Sequence, residues 1–399
     1  MYSNHSKMNS EDQFMGNLYQ RFPINISHGK GAKVWDSEGR EYIDCMAGYG
    51  VALVGHCNDR VVNAIKNQAE RLIVCHMSAY NDTRLNFLQK LARISPTGLS
   101  KVAFSNSGAE SVEAALKFAR KYTEKAGIIA MTGGYHGKTL GALSVTYNEK
   151  YRRPFMPLLD YVKFVPYHDR VNLDEEIDDS IGTMILEPIQ GETGIIVPPD
   201  GLLQNIRQTC TNRNIVLIYD EIQSGLGRTG KMWAGEHWKT TPDIMCLAKG
   251  IGGGIPMALT LAKPEIIDAM KIGEHSSTFA GNPIACTAAS AALDALVEDR
   301  LVENASKIGK YFKDGLMTLK ESHKIIREVR GLGLMIAIEL RFDVRDILLD
   351  GITNGILMLY SGRNIIRLLP PLVIDESMVS CALKKIDKLL TKEEDRKNV

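Results

Sequence analysis

The chain has 399 residues, with 48 basic and 47 acidic side chains and a formal net charge of +1, so its charge balance gives no reason to expect nucleic acid or an anionic membrane as a partner. A content of 44% hydrophobic and 24% charged residues is that of an ordinary globular protein, too long for one small core and suited to a large domain plus a smaller one, or two similar ones. Seven cysteines at 45, 57, 75, 210, 246, 286 and 381, none in a CxxC pair, argue against a disulfide framework and a zinc site; with no signal-peptide core and no membrane-length apolar run, a cytoplasmic location and no metal are expected.

Residues 1 to 16 are polar and read as a loose start. The segment 19–44 alternates apolar and polar positions around the turn signal DSEG, which predicts a hairpin with Val34, Trp35, Tyr42 and Ile43 in its strands. A glycine-bearing loop, GYGVALVGH, leads into a helix with Val62, Ile65, Ala69 and Leu72 on one face.

From Lys101 the rhythm becomes strand, loop, helix. KVAF predicts a strand, SNSGAES a turn, and VEAALKFARKY a helix with Val112, Ala115, Leu116 and Ala119 inward. Ser107 and Gly108 stand at that strand-to-helix junction, where backbone N–H groups at a positive dipole end can hold a phosphate. A plain N-cap explains the same serine equally well. The strand IIAM then runs into TGGYHGKT, where Tyr135 and His136 offer a platform for a flat ring or are simply a core tyrosine and a loop histidine. Lys138 adds a cation. A strand over 183–189 carries Glu187, with Glu192 in the following loop, either a tuned pair of carboxylates or two solvated ones.

The run IVLIY predicts a buried strand over 215–219, with Asp220 at its carboxyl end. IMCLA predicts another over 244–248, placing Lys249 at the same kind of position, 29 residues beyond Asp220 (249 − 220). In open α/β sheets that end of the strands is where ligands bind. A desolvated lysine there can act as a nucleophile towards an aldehyde. A carboxylate facing it suits the protonated ring nitrogen of pyridoxal phosphate (PLP), so the pair is a candidate PLP site. A surface lysine beside a solvated aspartate is the other reading of the same two residues.

After a strand over 257–262, the loop HSSTFAGNP precedes a helix rich in small residues. From about residue 290 the pattern is α+β: a helix to Leu319, a strand REVRGLGLMIAIELR, a short helix near 345–354, a strand IIRLLPPLVI and a final helix. Arg367 stands among Ile365, Ile366, Leu368 and Leu369, a setting that calls for a partner anion.

Seven motifs occur in order over nearly the whole chain: SNSGAE, GGYHGKT, EPIQGE, YDEIQSGLGRTG, LAKGIGGG, STFAGNP and IIRLLPPLVI. Together they resemble the class III (ω-type) aminotransferases of PLP fold type I. AGYGVALVGH, KYRRPFMPLL, VPYHD, IREVRGLGLM and RLLPPLVID resemble one branch of that family, which acts on lysine or ornithine carried by the small acidic protein LysW. The resemblance implies an α/β fold with a large, mainly parallel PLP-binding domain over 51–289. A small α+β domain would be built from both chain ends, 1–50 and 290–399.

The resemblance also implies roles. Lys249 would bind the cofactor covalently and then shuttle the proton, Asp220 would pair with the ring nitrogen, and Gln223 would reach the ring hydroxyl. Ser107, Gly108 and Ala109 match the phosphate loop, with Ala109 where threonine is usual. Tyr135 would stack on the ring, His136 and Glu187 would complete the cofactor surroundings, and Thr278 would reach the cofactor of a neighbouring subunit, implying a homodimer. Lys138, Glu192, Ser277 and Arg367 would bind substrate, Arg367 taking a carboxylate of glutamate or 2-oxoglutarate and Glu192 masking it when an amine enters. Lys138 stands where arginine is usual and would grip a carboxylate more loosely.

The expected reaction moves the terminal amino group of LysW-bound lysine or ornithine to 2-oxoglutarate, giving a semialdehyde and glutamate, in lysine and arginine biosynthesis. N-acetylornithine, ornithine, another ω-amino acid or a polyamine is the alternative donor. An aminomutase on the same fold and a catalytically silent binding protein are readings from other classes.

Overall fold

The computed structural model describes residues 11–168 and 172–398. The polar start expected over residues 1 to 16 therefore lies mostly outside the described residues, as does Asp169 of VPYHD.

Seven strands form the central sheet, in the order Lys101–Ser105, Ala258–Ala262, Ile244–Leu247, Val216–Asp220, Ile181–Leu186, Gly127–Met131, Val162–Val165. Only Ala258–Ala262 runs against the rest. Parallel strands need crossovers over the faces, which is why their runs are apolar on both sides: every residue of Val216–Asp220 and of Ile244–Leu247 is buried. Asp220 is the last residue of its strand rather than the one after it, and pairs in register with Cys246. The next strand ends at Leu247, so Ala248 already belongs to the turn.

The helix Gly108–Thr123 covers one face. Ser107 is its N-cap, its hydroxyl accepting from Glu110 N at 3.3 Å, and Val112, Ala115, Leu116 and Ala119 are all buried as expected. Each large apolar side chain buried there contributes roughly 1.5–3 kcal/mol. On the other face the helix Leu202–Asn212 packs Leu203, Ile206 and Cys210 against the sheet.

The helix Pro283–Glu298, capped by Asn282, is alanine-rich, so the helices Asp59–Ala69 and Asp82–Ile94 lie close on it. In Asp59–Ala69 the buried face is Val61 and Gln68, with Ala64 and Ile65 partly buried. The expected stripe was one residue out of phase, and Leu72, 44% exposed, lies beyond the helix. The expected division at residue 289 falls inside Pro283–Glu298.

Two four-stranded sheets flank this body. The first joins Ile26–Lys30, Lys33–Asp36 and Glu41–Asp44 to Ile356–Leu357, pairing Ile43 with Ile356 across the two ends of the chain. The second orders Ile326–Leu332, Met335–Leu340, Ile365–Leu368 and Leu359–Ser361. The segment REVRGLGLMIAIELR, expected as one strand, is thus an antiparallel hairpin turning at Gly333, whose φ of +54° suits glycine. The expected strand IIRLLPPLVI is limited to Ile365–Leu368, because the prolines that follow cannot donate to a ladder. Among the described residues no helix is long and apolar enough to cross a membrane.

Candidate active site

Parallel strands open their carboxyl ends to one cavity of about 700 Å³. Asp220 and Lys249 both line it. Lys249 opens the short turn Lys249–Gly252 in a left-handed conformation, φ 51°. Such a backbone state costs on the order of 1 kcal/mol or more for a non-glycine residue, and it redirects the side chain as the strand ends. Burial, reinforced by the positive charge of Arg367, lowers the Lys249 ammonium from 10.5 to about 8 despite the nearby carboxylates of Asp220, Glu187 and Glu192.

Asp220 is 4% exposed. Its Oδ2 lies 2.8 Å from His136 Nδ1 and its Oδ1 accepts from Ile222 N at 3.1 Å. His136 is equally buried, and its Nε2 has no protein partner among the described residues; the same holds for Gln223 Oε1. Behind them Glu187 accepts from Tyr135 N and Gly191 N, both at 2.9 Å. Burial raises its carboxyl well above the usual range, with the Asp220 charge adding to the effect and His136 opposing it.

Ser107, Gly108 and Ala109 form another wall. Gly108 and Ala109 are the first two residues of their helix, whose opening N–H groups have no intrahelical acceptor. A Cβ on Gly108 would meet Ile222 Cδ1 at 2.9 Å, so glycine keeps this wall tight against the loop that follows Asp220. Tyr135 faces the cavity, its ring edge-on to Tyr151 at 6.2 Å, and burial followed by the Glu192 charge pushes its hydroxyl up to about 12.

At the mouth, Glu192 Oε2 pairs with Arg367 Nη2 at 2.9 Å. Arg367 is 1% exposed and is held by Tyr360 O and Gly191 O at 3.2 and 3.1 Å. It stands behind Glu192 rather than at the cavity wall, so the anion expected beside it is this carboxylate. Lys138 lines the mouth with its ammonium 4.5 Å above the Tyr151 ring.

Besides Arg367, two expected residues are not brought to the wall. Ser277 touches it indirectly, accepting from Asn106 Nδ2 at 3.1 Å, and Thr278 is exposed outside the cavity. Reading by sequence missed Tyr49, Tyr151 and Tyr360, three tyrosines from remote segments that line the mouth. Their spacing carried no signal, although Tyr151 lies in a motif that was singled out.

These walls fit a flat, phosphorylated aldehyde. They combine an amine of lowered basicity, a buried carboxylate, free helix N–H groups, an aromatic face and two buried polar atoms without protein partners.

The class-III aminotransferase family model matches residues 14–390. The acetylornithine aminotransferase of Methanopyrus kandleri is 45% identical over 94% of this chain and 96% of its own. Ornithine aminotransferase 1 of Staphylococcus aureus is 41% identical over 92% and 95%. Among solved structures, the ornithine aminotransferase of Toxoplasma gondii superposes with a TM-score of 0.95 at 34% identity, covering 99% of this chain and 97% of that one. The acetylornithine aminotransferase of Elizabethkingia anophelis does so with a TM-score of 0.87 at 33% identity, covering 98% and 100%.

Proposed function

The chain belongs to the class-III aminotransferases, PLP-dependent enzymes of fold type I, and from that premise we propose that it moves the terminal amino group of a lysine- or ornithine-type donor to 2-oxoglutarate. The products are a semialdehyde and glutamate. The observation that carries this reading is the Arg367–Glu192 pair at the mouth of the cavity that holds Lys249 and Asp220.

When bound, PLP supplies a carbonyl carbon that joins an amine and a ring that accepts the electron pair released at the donor carbon. Asp220 would keep a proton on the ring nitrogen, with His136 fixing the carboxylate. Lys249 Nζ would hold the cofactor and, once released, move the proton from the donor carbon. The N–H groups of Gly108 and Ala109 would bind the phosphate beside the Ser107 hydroxyl, Gln223 would meet the ring hydroxyl, and Tyr135 would cover the ring face. Arg367 would take a carboxylate of 2-oxoglutarate when Glu192 swings away. With an amine donor, Glu192 would remain on Arg367 and remove the charge that repels a cation.

The donor we favour is lysine or ornithine carried by LysW, in lysine or arginine biosynthesis. Branch motifs support it, and Lys138 adds a cation at the mouth. The names of the relatives favour a second reading, N-acetylornithine. Steady-state kcat/KM for the carrier-bound donors, N-acetylornithine, ornithine and putrescine decides between them, and a preference for a free or acetylated donor would overturn the carrier assignment.

A homodimer belongs to the same proposal. Thr278 is exposed outside its own chain's cavity, and Phe279 beside it is 66% exposed, as a residue reaching into a neighbouring copy requires. Light scattering giving a monomer mass would remove that part.

A further inference from the structure

The site holds two cations, and they stand at different depths. Arg367 is the deeper: after burial, its charge is the strongest influence on the Lys249 ammonium, ahead of those of Asp220, Glu187 and Glu192. Lys138 lines the same cavity but is not among these neighbours. An acceptor with two carboxylates meets such a pair end to end, the carboxylate on the reacting carbon towards Arg367 and the remote one towards Lys138.

The Lys138 side chain is exposed and forms no ion pair among the described residues. A lysine is a point charge on a flexible stem, so an untethered ammonium at a cavity mouth spreads over many rotamers and loses affinity when a ligand fixes it. Here it is fixed beforehand. Its Nζ lies 4.5 Å above the Tyr151 ring, within the range where the ring quadrupole attracts a cation, and the N–H groups turned away from the ring stay open to an anion.

Both partners are anchored. Beside Lys138, Thr139 Oγ1 donates to Glu113 Oε1 at 2.6 Å, and Gly141 N donates to the same oxygen at 2.8 Å. Tyr151 sits on the short helix Glu149–Arg152, capped by Asn148, whose side chain accepts from Lys150 N at 3.0 Å. The next residue, Arg152, lays its guanidinium 4.6 Å above the Phe164 ring, which ties that helix to the strand Val162–Val165. Tyr151 is half-buried, its ring edge-on to Tyr135, and its hydroxyl has no hydrogen-bond partner among the described residues. What it offers the site is therefore the face of its ring.

We propose that Tyr151 is a positioning residue: its ring holds the Lys138 ammonium across the mouth, ready for the carboxylate of 2-oxoglutarate that is remote from the reacting carbon. This rests on the reading of 2-oxoglutarate as the acceptor. The perch gives a lysine, which lacks the planar fork of arginine, a fixed place from which to grip.

The test is the single-turnover reaction of the PLP-loaded enzyme, after conversion to its amino form, with 2-oxoglutarate and with 2-oxopentanoate, which carries a methyl group in place of the remote carboxylate. The quantity read is the ratio of the two second-order rate constants. Tyr151→Leu is expected to lower the constant for 2-oxoglutarate about fivefold and that for 2-oxopentanoate by less than about twofold, while Tyr151→Phe, which keeps the ring, holds the ratio of the parent. Equal losses for both oxoacids would mean a merely structural role and overturn the proposal, as would an unchanged ratio in Tyr151→Leu or a ratio lost as fully in Tyr151→Phe. If Tyr151→Leu does not fold, Tyr151→Gln decides by the same ratio. Lys138→Met run in parallel separates the premise from the perch. Should it leave the ratio unchanged, Lys138 does not meet the remote carboxylate; should it collapse the ratio while Tyr151→Leu does not, the cation is right and its perch is wrong. A parent that shows no preference between the two oxoacids would remove the acceptor reading and this proposal with it.

Discussion

The basicity of Lys249 gives the account its sharpest number. Burial, then the Arg367 charge, brings the ammonium from 10.5 to about 8, and only the free amine attacks an aldehyde. At pH 7 the lowering enlarges the free-amine fraction roughly 300-fold. The sign follows directly: a depressed amine becomes reactive as pH rises through its folded value, so capture of PLP by the cofactor-free protein should quicken up to about pH 8 and level off above it. Arg367→Gln removes the second cause and leaves the first, so the same profile should move to higher pH while remaining below 10.5. Stopped-flow absorbance over a pH series measures both curves. A parent inflection near 10.5, or a variant displaced to lower pH, would refute the reasoning.

Three further outcomes follow from named contacts. Glu192 is 37% exposed at its side chain and pairs with Arg367 at 2.9 Å, so the screened pair is worth about 1 kcal/mol; Glu192→Gln, which spares an oxoacid that cost, should tighten 2-oxoglutarate about fivefold and slow the donor half-reaction, seen in half-reaction titrations. His323 bridges Glu394 and Asp387 at 2.8 Å each. Burial opposes its charge, but the two carboxylates outweigh burial and hold its pKa above the usual value, so this stability is fully present below about pH 6.5 and lost as pH rises through the folded value. Denaturant midpoints across that window should fall in the parent and stay flatter in His323→Gln. Gly333→Ala combines a φ of +54° with a Cβ approach of 2.3 Å to the Thr229 backbone and should cost more than about 2 kcal/mol in chemical denaturation; an unchanged midpoint would mean that the hairpin does not dock there.

Much of the central sheet was legible because buried parallel strands are apolar throughout: IVLIY and IMCLA marked the two strands that end near Asp220 and Lys249. Boundaries slipped by a residue, since a hydrophobic run does not mark where the ladder ends. Ile326–Leu332 and Met335–Leu340 were read as one strand because the glycine turn sits inside an unbroken apolar pattern. The helix Asp82–Ile94 went unread although Asn81 and the spacing of Leu88 and Leu91 were there to see. At the site, groups beside strand ends and at the helix start were legible by position. Tyr49, Tyr151 and Tyr360 were not read as site residues, since only folding brings them together.

The most direct test of the central claim is chemical. Borohydride reduction of the PLP-loaded protein, followed by peptide mass mapping, should fix the cofactor on Lys249 and on no other lysine. A label on a different lysine, or a protein that takes up no cofactor, would contradict the account.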